Sequence, residues 1–296
     1  MGKELLVYID GLYYPKSQAK ISVYDHGLLY GDGVFEGIRA YNGVVFKLKE
    51  HIERLYRSAH ALMLEIPMNK NEITKAVLDT LRKNSLRDAY IRLVVTRGVG
   101  DLGLDPEKCP NPSVIIIADT ISIMSNEAKE KGISTMISWV KRNPVDSTTH
   151  EIKSLNYLNS VLAKMEATAN GVDEAICLEK SGCIAEGVGE NLFIVKDGKI
   201  FTPQSSTGAL AGITAKFAVK LARQKGIEVT ETNITPFQLF TAEEAFFTGT
   251  AAEIIPIREV NKRKIGSETP GPITKKLMVA FQKAATDGTE GTPIYP

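Results

Sequence analysis

Three turn dipeptides limit what this chain can become. Asp10-Gly11, Asn42-Gly43 and Asp197-Gly198 each sit between short runs of strand-forming residues. Asn-Gly and Asp-Gly adopt the left-handed backbone of a two-residue hairpin, so antiparallel ribbons are expected in both halves of the sequence. Residues 5–48 read as β hairpins throughout, with Leu5–Ile9, Val34–Ala40 and Val44–Leu48 as strands. Ala89–Arg97 and Pro112–Ala118 follow as strands, and Ile133–Val140, Ala175–Leu178, Cys183–Ala185, Asn191–Val195 and Ile200–Thr202 repeat the pattern later, with Ser181-Gly182 as a further turn.

Helical spacing fills the intervals. Lys49–Leu64 carries Ile52, Leu55, Ala59 and Leu62 on one face, with Arg54 off that stripe, either solvated or reaching an anion. A second helix starts at Asn71 as its cap and turns Ile73, Val77 and Leu81 inward. Glu151–Ala167 has apolar Leu155, Leu158, Leu162 and Met165, continued by Ala169, as one buried stripe. Ile213–Lys225 is closed by Gly226, and Pro272–Ala285 is a last amphipathic helix. The expected fold class is α/β of the α+β type, with a small domain over 1–118, a link over 119–127 and a larger domain over 128–296. A net charge of +1 leaves no electrostatic footprint for nucleic acid or an anionic membrane. No apolar run approaches spanning length, and the opening MGKELLVYIDG reads as a strand and turn rather than a signal peptide. Cys109, Cys177 and Cys183 lack metal or disulfide spacing and read as reduced thiols in a cytoplasmic protein.

The candidate chemistry lies mostly in the second half. Lys153 falls at or just before the first turn of the Glu151–Ala167 helix, where the positive end of the helix would lower its proton affinity and make it a better amine nucleophile. A solvated surface lysine is the plainer reading of that position alone. Glu186 ends a strand, and Gly187 and Gly189 leave room for a flat ligand; a simple edge charge would look the same. Gly212 feeds the free N–H groups of a helix start, an anion site to which Thr214 adds a hydroxyl. Thr248–Ala252 interrupts a strand with further donors. In the strand AYIRLVVTRG, Tyr90, Arg92 and Val94 share a face, and Arg92 needs a partner there: a bound carboxylate or an internal acid. An activated lysine, an acid and a phosphate cradle are together what pyridoxal phosphate requires.

The ordered motifs HGLLYGDGVFEGIRAY, HIERLYRSA, AYIRLVVTRG, EIKSLNYLNSVLAKMEA, EGVGENLF, GITAKFAVKLA and FFTGTAAEIIPI run over nearly the whole chain. Through them the sequence resembles the branched-chain amino acid aminotransferases, pyridoxal-phosphate enzymes of fold type IV. That resemblance implies a small N-terminal α/β domain and a larger C-terminal domain with a β-barrel-like sheet and flanking helices. It implies transfer of the amino group of leucine, isoleucine or valine to 2-oxoglutarate, through a Schiff base on Lys153. Arg54, Tyr157, Glu186, Leu210, Gly212, Ile213, Thr214 and Thr250 are then the cofactor-binding residues. Glu186 pairs the ring nitrogen, Tyr157 the ring hydroxyl, and Arg54, Ile213, Thr214 and Thr250 the phosphate. Tyr30, Phe35, Gly37 and Tyr90 line the substrate pocket, Arg92 meets the distal carboxylate of glutamate, and the backbone of Thr250, Ala251 and Ala252 takes the α-carboxylate. A homodimer is implied as well. D-Amino-acid transaminases and 4-amino-4-deoxychorismate lyases share the fold and are the alternative activities.

Overall fold

The computed structural model describes residues 4–120 and 125–295, which fall into two compact units. The first is drawn from Met1–Ile121, Ile152–Asn156 and Ala284–Pro296, and the second from Ser122–Glu151 and Tyr157–Lys283. Of the expected link over 119–127, residues 121–124 lie outside the described residues.

In the first unit, β1 (Leu6–Ile9), β2 (Leu12–Pro15), β3 (Gly33–Tyr41), β4 (Val44–Phe46), β5 (Ala89–Thr96) and β6 (Ser113–Asp119) join the C-terminal strand Gly291–Pro293 in a seven-stranded sheet. Its order is C-terminal strand, β4, β3, β5, β6, β1, β2, with antiparallel neighbours throughout. Both hairpin dipeptides behave as their chemistry demands: φ is +48° and +91° at Asp10 and Gly11, and +50° and +87° at Asn42 and Gly43. The stretch between β2 and β3 is not a hairpin. It holds a short helix, α1 (His26–Tyr30), because the Asp25 side chain accepts the Gly27 N–H and Gly31 closes the turn at φ +70°. Helices α2 (Leu48–Ala61) and α3 (Lys70–Lys83) bury Ile52, Leu55 and Ala59, and Ile73, Val77 and Leu81, against Ile38, Ile91, Leu93 and Val95 of the sheet. Asn69, not Asn71, caps α3, in a capping box with Glu72 that satisfies two helix-start donors reciprocally.

One edge of β3 is shared. Strand β4 covers only Ala40 and Tyr41. Residues 153–155 take the edge at Gly33–Phe35: Phe35 donates its N–H to Lys153 O at 3.0 Å, and Leu155 donates to Gly33 O at 2.9 Å. This pairing explains why the helix expected from Glu151 begins only at Leu158.

The second unit holds α4 (Asn126–Lys131), α5 (Leu158–Ala169), α6 (Ile213–Gln224), α7 (Pro236–Phe240) and α8 (Pro272–Thr286). Its strands are β7 (Ile133–Ile137), β8 (Glu174–Leu178), β9 (Ile184–Gly187), β10 (Asn191–Lys196), β11 (Lys199–Pro203), β12 (Val229–Thr232), β13 (Glu244–Gly249), β14 (Glu253–Val260) and β15 (Arg263–Lys264). They form one sheet in the order β12, β11, β10, β13, β14, β7, β8, β9, with β15 on β14. β9 curls back against β10 and β11, which gives the sheet its barrel-like form. On α5 the buried stripe differs from the expected one. Ser160, Ala163 and Ala167 are buried, the two alanines against β8, while Leu158, Val161, Leu162 and Met165 are exposed. Small residues let the helix lie close on Ala175 and Cys177, which turns the long apolar side chains outward. Among the described residues no helix is long and apolar enough to cross a membrane.

Candidate active site

The first unit gathers Lys153, Phe35, Gly37, Tyr90 and Arg92. The Lys153 peptide is fixed by β3 on its carbonyl side and by Ser58, whose Oγ accepts the Lys153 N–H at 3.2 Å. Lys153 therefore stands in an extended segment beside the sheet, five residues before α5, and the helix-start argument for its amine does not apply. Its Nζ lies 4.5 Å from the centre of the Phe35 ring, and the Arg92 guanidinium lies 4.6 Å from the same centre. Arg92 Nη2 also donates to the Tyr90 hydroxyl at 3.2 Å. The β3–β5 register sets Gly37 opposite Arg92, and a Cβ at Gly37 would overlap the Tyr90 hydroxyl. The Tyr30 hydroxyl donates to Leu102 O at 2.6 Å, and its ring packs edge-on against that of His26.

Arg54 is buried, not solvated. Its Nε and Nη2 donate to the two carboxylate oxygens of Glu36 at 2.7 and 2.8 Å, and His51 Nδ1 donates to Glu36 Oε2 at 2.7 Å. Burial pushes the Glu36 carboxyl up, but the Arg54 charge and the bonds from Arg54 and His51 outweigh it and hold the group down at about 2. Burial lowers the His51 proton affinity against the pull of Glu36. Neither Glu36 nor His51 stood out in the sequence. The available signal was His51, Arg54 and Ser58 at i, i+3 and i+7, a polar stripe on the sheet-facing side of α2.

The second unit gathers the acid and the anion donors. Glu186 is buried at the end of β9, and Leu210 N–H donates to its Oε2 at 3.0 Å. Arg142 Nε stands 3.0 Å from Glu186 Oε1, and His150 Nδ1 3.9 Å from it. Arg142 is itself buried and donates to Asn159 Oδ1 at 2.9 Å, Ser160 Oγ at 3.1 Å and Gly187 O. Arg142 and His150 do not stand out in the sequence, because a basic residue in a polar loop gives no sign of its burial. Tyr157 caps α5 with its ring 5.5 Å from that of His150. Asn191, also unforeseen, donates Nδ2 to Leu210 O at 2.8 Å, and its Oδ1 fills the space a Cβ on Gly212 would need. Gly212 caps α6 with no side-chain bond to the helix start, so the N–H groups at Ile213 and Thr214 have no side-chain cap. Thr214 is buried, and Thr250, Ala251 and Ala252 form the turn between β13 and β14. Glu190 sits under that turn, with its Oε2 accepting the Gly189 N–H at 3.0 Å. Burial, followed by the charge of Glu174, pushes Glu190 up to about 7.

These donors suit a pyridine ring carrying an aldehyde and a phosphate. A glycine-capped helix start suits the phosphate, a buried carboxylate backed by a guanidinium suits a protonated ring nitrogen, and a primary amine suits the aldehyde. The family model for amino-transferase class IV matches residues 33–260. A putative branched-chain-amino-acid aminotransferase of Methanocaldococcus jannaschii is 54% identical over 280 residues, covering 95% of this chain and 96% of its own. The chain belongs to the branched-chain aminotransferases of class IV. The crystal structure of the Escherichia coli branched-chain aminotransferase superposes with a TM-score of 0.96 at 37% identity, covering 99% of this chain and 100% of that one. That of the Thermobaculum terrenum enzyme, in its PLP form, gives 0.90 at 28% identity and covers 100% of each chain. Fold and family thus agree with what the motifs implied. Of the residues expected to bind the cofactor, Arg54 and Lys153 belong to the first unit, and Tyr157, Glu186, Leu210, Gly212, Ile213, Thr214 and Thr250 to the second.

Proposed function

We propose that this chain is a pyridoxal-phosphate-dependent transaminase that moves the amino group between L-leucine, L-isoleucine or L-valine and 2-oxoglutarate, in branched-chain amino acid biosynthesis. The observation that carries the reading is the buried Glu186, paired with Arg142 and held by the Leu210 N–H. A buried carboxylate is costly, and one held ionised serves to keep a proton on a basic ring nitrogen. When bound, pyridoxal phosphate supplies an aldehyde to receive the amino group and a ring that accepts the electron pair left at the substrate Cα.

The protein's own groups do the rest. Lys153 Nζ would hold the aldehyde and move the proton at the substrate Cα. Glu186 would keep the proton on the ring nitrogen, and Tyr157 would meet the ring hydroxyl. Leu210 would pack on the ring, while Arg54, Ile213, Thr214 and Thr250 would hold the phosphate. Phe35, Gly37, Tyr90 and Tyr30 line an apolar pocket for the branched side chain. Arg92, held against Phe35 and Tyr90, meets the distal carboxylate of glutamate, so one pocket accepts both substrate types. The turn Thr250–Ala252 takes the α-carboxylate.

The enzyme acts as a homodimer in the cytoplasm. The exposed apolar face of α5, together with Trp139, whose N–H donates to Glu166 of that helix, is the support for a covering second copy. The test is a panel of both enantiomers of leucine, valine, isoleucine and alanine with 2-oxoglutarate. The L-branched donors should dominate. Preference for D-alanine would favour a D-amino-acid transaminase, and pyruvate release from aminodeoxychorismate without an oxo-acid acceptor would favour the lyase.

A further inference from the structure

A carboxylate with no solvent exposure is an expensive thing to place in a sheet, and Glu36 is one. It sits between Phe35 and Gly37, two of the proposed pocket residues, and accepts three bonds, each from α2. The guanidinium of Arg54 meets it edge to edge, two parallel N–H···O bonds that fix the plane of the group as well as its place. His51, one turn earlier, ties the shared Oε2 from the side, so the carboxylate cannot rotate without breaking a bond. Ser58, one turn later on the same helix, holds the Lys153 peptide. One helix face thus carries the clamp on Arg54 and the anchor of the reactive lysine. An arginine left to its own torsions would lose side-chain freedom each time it gripped an anion. The clamp removes that freedom during folding, before any ligand arrives.

We propose that Glu36 and His51 are positioning residues that aim Arg54 at the anionic tail of the bound cofactor and thereby set its affinity. The proposal rests on the reading above that the cofactor is pyridoxal phosphate and that Arg54 meets its phosphate. The groups that bear on His51 are Glu36 from β3, Arg54 from its own helix and Lys153 from the segment paired to β3. The clamp acts through a neighbour's orientation, so its signature is selective: it should matter for a ligand with a phosphate and not for the same ligand without one.

The experiment compares pyridoxal phosphate with pyridoxal. Both attach to the lysine through the same aldehyde, so the ratio of their dissociation constants isolates the phosphate. Each is measured by absorbance and fluorescence titration of cofactor-depleted full-length enzyme. Glu36→Gln should weaken pyridoxal phosphate at least tenfold while leaving pyridoxal within about twofold. Because that variant leaves a buried arginine without its counter-charge and can fail to fold, His51→Ala is the second arm, expected to weaken pyridoxal phosphate several-fold. His51→Asn, which keeps a donor to Glu36, should restore most of the loss. Equal weakening of both ligands in Glu36→Gln and His51→Ala, or an unchanged ratio in both, overturns the proposal. Arg54→Gln separates the two levels. If it collapses the ratio while the Glu36 and His51 variants do not, only the positioning role falls. If it leaves the ratio intact, the phosphate reading of Arg54 falls and the proposal with it.

Discussion

Removing the charge of Arg142 is the sharpest perturbation of the acid half of the site. Arg142 and Glu186 face each other at 3.0 Å with almost no exposure on either side chain. At an effective dielectric constant near 20, two unit charges at that separation attract by roughly 5 kcal/mol. Much of this repays the desolvation of both groups, so the net value of the pair is small, but losing one partner strands the other. Arg142→Met keeps the aliphatic bulk, leaves a buried carboxylate with the Leu210 N–H as its near donor, and also forfeits the bonds to Asn159, Ser160 and Gly187. The expected loss is about 3–5 kcal/mol. The double variant Arg142→Met/Glu186→Gln removes the stranded charge and should recover about 1–2 kcal/mol, the remainder being the lost Arg142 bonds at about 1 kcal/mol each. The assay is urea unfolding followed by circular dichroism at fixed protein concentration without added cofactor, because bound cofactor would shift the midpoint on its own. A double variant no more stable than Arg142→Met would refute the view that Arg142 is there to compensate Glu186.

Three further outcomes follow from named contacts. Glu36 has its carboxyl held down at about 2, so its ionised form stabilises the fold above about pH 4.5, and that contribution, roughly 3 kcal/mol, is lost as pH falls from there through 2; Glu36→Gln should flatten the acid limb of a stability–pH curve. Glu190 is pushed up to about 7, so the fold favours its neutral form and stability falls as pH rises from about 4.5 through 7; Glu190→Gln should match the parent near pH 4 and melt higher than it at pH 8.5. Gly37→Ala drives a methyl into the Tyr90 hydroxyl and so unties Arg92. KM for glutamate should then rise about tenfold while KM for leucine changes less, and equal shifts would count against Arg92 as the carboxylate contact.

How far the sequence could be read depended on whether the information was local. Hairpin dipeptides carry their own geometry, so the turns at Asp10, Asn42 and Asp197 were found in place. Gly212 and Gly226 bracketed α6 for the same reason. Contacts between distant segments were not legible. Nothing near Lys153 announces that residues 153–155 complete the edge of β3, and that pairing displaced both the expected helix start and the electrostatic case built on it. On α5 the large apolar residues drew the eye, yet the small ones at Ser160, Ala163 and Ala167 pack. The ion pairs of Glu36 with Arg54 and Glu186 with Arg142 join residues far apart in the chain, and single-sequence periodicity has no term for such partners.

The way residues 153–155 are stitched to β3 also limits how this protein can evolve. The peptide is moored through both its N–H and its carbonyl, so in the role proposed for Lys153 only the four torsions of its side chain would need to reset between turnovers. Because side chains on an extended segment alternate, a slip of one residue in that seam would turn the amine to the opposite side of the ribbon. A lysine introduced elsewhere would therefore not inherit the role merely by being near: it would need a mooring of its own, in the right phase.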